Sequence, residues 1–75
     1  MQGDAGLANR RSNIIQRAAV VAVLARARGT TSISRADDGS VFVYDELRGS
    51  ERPVTVRTKI TPDGAVLPPV QLPYD

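Results

Sequence analysis

The stretch Arg17–Gly29, RAAVVAVLARARG, constrains this chain more than any other. Eight apolar residues in a row, Ala18 to Ala25, lie between Arg17 and Arg26. A bilayer-crossing helix needs about 20 apolar residues, so the run is too short to span a membrane. A secretion signal is the next reading, because Arg10-Arg11 precedes the run and Ala25-Arg26-Ala27 ends it in a small-x-small pattern. Three residues argue against it: Arg17 interrupts the apolar part, Arg26 sits inside the would-be cleavage site, and Asp4 lies in the basic region.

Nothing from Asn13 to Arg28 breaks a helix. Ser12 suits the N-cap, and Gly29 suits the residue just past the C-terminus. Asp4 offers an earlier start, capping a helix from near Ala5. Periodicity alone does not separate a short apolar helix from a strand, and VVAVL is rich in β-branched residues. The unbroken length and the five alanines between Asn13 and Arg28 favour helix.

On a helical wheel Leu7, Ile14, Ala18, Val21 and Ala25 form one stripe, which Ile15, Ala19, Ala22 and Val23 widen. Val20 and Leu24 close much of the remaining arc, so the last three turns are apolar nearly all round. Such a helix is buried on more than one side, and one small sheet covers only one. The surplus marks Ala18, Val21, Ala22, Leu24 and Ala25 as candidate interaction residues, the partner being a second copy or another protein.

The character changes after Gly29. TTSIS and SVFVYDEL read as strands near Thr31–Arg35 and Ser40–Asp45, joined by a turn in which Gly39 takes the left-handed position. PVTVRTKIT alternates: Val54, Val56, Thr58 and Ile60 on one side, Thr55, Arg57, Lys59 and Thr61 on the other, a half-buried antiparallel strand. Pro62 and Gly64 form a second turn before a last strand at Ala65–Leu67, which Pro68-Pro69 ends. The two Asp-Gly turns share four positions, too few for an internal repeat; Asp37, Asp38 and Asp63 have sufficient structural work there. The expected fold is α+β, with one N-terminal helix on a three- or four-stranded antiparallel β-meander and an extended Pro-rich C-terminal tail. The single domain divides into a frayed 1–11, a helix over 12–28, a meander over 30–67 and a tail over 68–75.

With 75 residues the core is small. No Cys or His is present, which removes disulfides, thiolate zinc sites and the commonest metal ligand and general base. There is no Gly-rich phosphate loop and no carboxylate cluster at metal spacing. A Ser/Lys dyad would need Lys59, which faces outward from an amphipathic strand with no apolar pocket to lower its pKa. The chain is therefore read as non-catalytic, with no cofactor, no metal and no small-molecule ligand.

Charge is uneven. The first thirty residues carry five arginines against Asp4, and the rest carry five cations against seven carboxylates. Nine of the ten cations are Arg, a usage that also suits a GC-rich bacterial or phage genome. Arg10, Arg17 and Arg28 fall near one edge of the helix with Arg11 close by. These four are the candidate nucleic-acid contacts, and no aromatic platform accompanies them.

KITPDGAVLPPVQL resembles the opening hairpin of the AbrB/MazE-like swapped-hairpin DNA-binding proteins at Lys59, Gly64, Val66 and Pro68. The resemblance covers about fourteen residues and would imply a DNA-binding dimer. The chain departs from it at Pro69, where a turn of helix should run, and lacks a second strand pair. The favoured expectation is thus a small interaction or assembly module, cytoplasmic or part of a virion. Its rivals are a DNA-binding regulator using the Arg-rich helix and a structural subunit of a phage-like particle.

Overall fold

The protein is described from a computed structural model over residues 2–49 and 52–72, with residues 2–9 as backbone. It is α+β: α1 (Gln2–Arg26) packs on a four-stranded antiparallel sheet of β1 (Thr30–Arg35), β2 (Val41–Arg48), β3 (Pro53–Ile60) and β4 (Val70–Leu72). The strands lie in chain order, each hydrogen-bonded to the next.

Two helix boundaries differ from the sequence expectation. The helix starts at Gln2 rather than near Asn13. Gly3 and Gly6 each cost about 1 kcal/mol against Ala, yet extending a formed helix gains one hydrogen bond per residue. The helix ends at Arg26, two residues early, because Asp45 on β2 takes over the next donors. Its carboxylate accepts from Arg28 N at 3.0 Å and from Gly29 N at 2.8 Å. Gly29 is therefore no left-handed cap, since among the described residues only Gly39 and Gly64 have positive φ. It is glycine because a Cβ there would lie 1.9 Å from the Glu46 carbonyl oxygen.

The last strand also sits elsewhere. Of Ala65–Leu67 only Val66 pairs, by a single bridge to Ile60. The fourth strand is Val70–Leu72, beyond the two prolines and within the stretch expected as a tail, and it pairs with Thr55–Arg57. The remainder of that tail, residues 73–75, lies outside the described residues.

Both turns form as their Asp-Gly pairs require. Gly39 and Gly64 have φ of 91° and 94°. The two loops share one hydrogen-bond pattern: Ala36 N donates to Ser40 O and Gly39 N to Ala36 O, as Thr61 N does to Ala65 O and Gly64 N to Thr61 O. Asp38 accepts from Ser40 N at 2.9 Å, and Asp63 accepts from the Thr61 hydroxyl.

The register sets the sheet's two faces. Val41 pairs with Ile60, Val43 with Thr58, and Asp45 with Val56, placing these residues on the helix side. Val41, Val43 and Ile60 are the buried apolar core, and Ala19, Val20, Val23 and Leu24 pack against it. The edges differ. All six residues of β1 are exposed, and among the described residues no strand pairs outside it. β4 has three residues and follows Pro68-Pro69, which have no N–H to offer.

Candidate interaction surface

The helix meets the sheet along the stripe containing Gln16, Ala19, Val20, Val23 and Leu24, not along Ile14, Ala18, Val21 and Ala25. Gln16 is only 6% exposed, the one buried polar side chain of the helix among the described residues. Its amide nitrogen donates to Gly39 O at 2.8 Å and to Thr61 O at 3.1 Å, so one side chain holds a carbonyl of each turn. These two bonds fix the roll of the helix. Positions 19, 20, 23 and 24 then face inward, and the wheel's other apolar stripe faces out.

That outer stripe is open to solvent. Ile14 is 66% exposed and Val21 64%, with Ala18, Ala22 and Ala25 exposed beside them. Of the interaction residues expected from sequence, Leu24 is the exception: it is half-buried against the core. Ile14, Ala18, Val21 and Ala25 follow one another at spacings of four, three and four, the seam rhythm by which one helix takes another. On one flank Ile33 of β1, 49% exposed, adjoins the stripe, and Arg17, Val20, Val21, Ile33 and Arg35 line a groove between helix and strand. On the other flank Ile15 packs on Gly64 so closely that a Cβ there would lie 2.3 Å from its Cγ2.

The arginines border this surface. Arg10, Arg11, Arg17, Arg26 and Arg28 are all exposed. Arg10 and Arg17 share one edge of α1, two turns apart. Arg28 does not join them, because the helix has ended and its backbone is turned toward Asp45. Between Arg10 and Arg26 the helix carries no carboxylate.

The sheet's other face holds a grouping that the sequence did not assemble. Phe42 pairs with Ser34 and Lys59; Tyr44 pairs with Ser32 and Arg57; and Val70 continues the second row. The Arg57 guanidinium lies 5.2 Å from the Phe42 ring centre and the Lys59 ammonium 5.8 Å. Such contacts contribute about 0.5–1 kcal/mol each where water reaches them.

Among the described residues no group of three or more His, Cys, Asp or Glu could hold a metal ion. No described helix is long and apolar enough to cross a membrane. No protein-family model, no curated protein and no solved structure matches the chain. The hairpin resemblance is accordingly not supported by a family match, and Pro68-Pro69 leads into β4 where that family would begin a helix.

Proposed function

We propose that the protein is a small non-catalytic interaction module that takes up a helix of another chain along the outer stripe of α1. The observation that supports this is the open row Ile14, Ala18, Val21 and Ala25, with its coiled-coil spacing and small residues for close approach.

Charge selects the partner. The stripe is bordered by Arg10, Arg11, Arg17 and Arg26 with no acid between them, so a second α1 would set arginine against arginine. A partner helix with Ala or Leu on its seam and Glu on its flanks answers both the shape and the charge.

The test is calorimetric titration of the chain with two synthetic helices that share a Leu/Ala seam, one flanked by Glu and one by Lys. The Glu-flanked helix should bind, the Lys-flanked helix should bind at least tenfold more weakly, and Val21→Glu should abolish binding. Equal binding of both peptides, or of neither, defeats the reading. So does a homodimer in sedimentation that Val21→Glu disperses, which would assign the stripe to self-association.

A further inference from the structure

The face of the sheet turned away from α1 carries its own chemistry, independent of the helix stripe. Phe42 and Tyr44 stand two apart on β2, on the same face, and are half-buried. Arg57 and Lys59 stand opposite them on β3. Ser32 and Ser34 extend the two rows to the β1 side. Among the described residues Arg57 and Lys59 make no ion pair; their ring contacts are with Phe42. Glu46, on this face, lies one row further on, opposite Thr55.

We propose that this face binds single-stranded nucleic acid, with a base stacked on Tyr44 and the backbone phosphates held by Arg57 and Lys59. Three features carry the assignment. Every base has a π-face, so an aromatic side chain on an open sheet is a sequence-tolerant platform. A guanidinium plane above a ring adds a second surface on which a base stacks. Arg57 and Lys59 stand side by side, with Asp38 acting on Lys59 through space; two such cations match successive phosphates, and counterion release supplies affinity. A duplex answers this chemistry less well, because its bases are stacked inside and offer no free face to Tyr44. The rows span the width of the sheet, room for about two or three nucleotides.

The experiment is fluorescence anisotropy of the whole chain with labelled twelve-residue oligothymidine and oligouridine, and with a twelve-base-pair duplex, at 50 and 200 mM salt. Three variants accompany it: Tyr44→Leu, which keeps apolar packing without the ring; the double variant Arg57→Gln/Lys59→Gln; and the helix variant Arg10→Gln/Arg11→Gln/Arg17→Gln. Circular dichroism melts establish that each is folded. The single strands should bind more tightly than the duplex and weaken with salt. Tyr44→Leu should lose about tenfold, the order of one base stack. The double variant should lose at least tenfold and flatten the salt dependence, and the helix variant should lose less than threefold. No single-strand binding at 50 mM salt overturns the proposal. So does a duplex bound as tightly as the single strands, or a loss that follows the helix arginines instead of Arg57 and Lys59. Failure here leaves the peptide titrations untouched, because they read the opposite side of the molecule.

Discussion

The side-chain amide of Gln16 donates to the backbone carbonyl of Thr61, 45 residues further along the chain, at 3.1 Å. The same nitrogen donates to Gly39, so the helix is pinned to both turns at once. Gln16→Met keeps the length of the side chain and removes both bonds, leaving two carbonyls under an apolar group. The substitution should cost about 2 kcal/mol, read as a lower urea midpoint with the slope unchanged. A loss under about 0.5 kcal/mol would show that the turns satisfy their carbonyls another way.

The two turn glycines should respond unequally to alanine. At Gly39 a Cβ meets nothing closer than 3.5 Å, so Gly39→Ala carries only the cost of a positive φ, about 1 kcal/mol. At Gly64 the same φ penalty adds to a Cβ 2.3 Å from Ile15, against the helix. Gly64→Ala should cost at least about 2 kcal/mol. Thermal melts of the two variants side by side check the order.

Acid should weaken the turns. The Ser40 backbone N–H bound to Asp38 and the Thr61 hydroxyl bound to Asp63 each hold a carboxyl below its ordinary value of 3.8. A group whose pKa is depressed by folding stabilises the folded state fully above its unfolded value, and that share is lost as pH falls through the folded value. The chain should therefore lose stability from about pH 4 downward. Replacing both residues by Asn should flatten the melting temperature over that window while leaving its course near neutrality unchanged.

Two neighbours on α1 should separate the helix's inner and outer work. Leu24 packs on the core, so Leu24→Ala should cost about 2 kcal/mol. Val21 is 64% exposed, so Val21→Glu should shift the stability of the isolated chain by under about 0.5 kcal/mol. A large loss from Val21→Glu would mean that the outer stripe is already covered within the folded molecule.

The helix, the meander and both glycine turns were legible in the sequence because each rests on local chemistry: an unbroken apolar run, strand alternation, and Asp-Gly pairs that accept a positive φ. The surplus of apolar circumference was legible too, but not its direction. Which stripe faces inward is set by Gln16 reaching two carbonyls, a long-range fact that a wheel drawn from local spacing does not contain. A lone polar residue at the centre of the inner stripe was the available signal. The end of the helix was missed for the same reason: the carboxylate that stops it belongs to Asp45. Strand alternation alone turns Arg57 and Lys59 outward, but only the β2–β3 register places Phe42 and Tyr44 beside them. The Pro-rich segment suggested a tail, since two prolines end a ladder, yet three residues past them are enough to begin another.

The bare rim of β1 governs how the molecule behaves when concentrated. Thr30 to Arg35 presents a row of amide and carbonyl groups broken by no proline and guarded by a single charge at one end. Each molecule is thus a template for the next at that side alone, the prolines ahead of Val70 blunting the other. Two copies meeting rim to rim would close as a pair and stop there, and a lysine at Ser32 or Ser34 is the simplest way to prevent it.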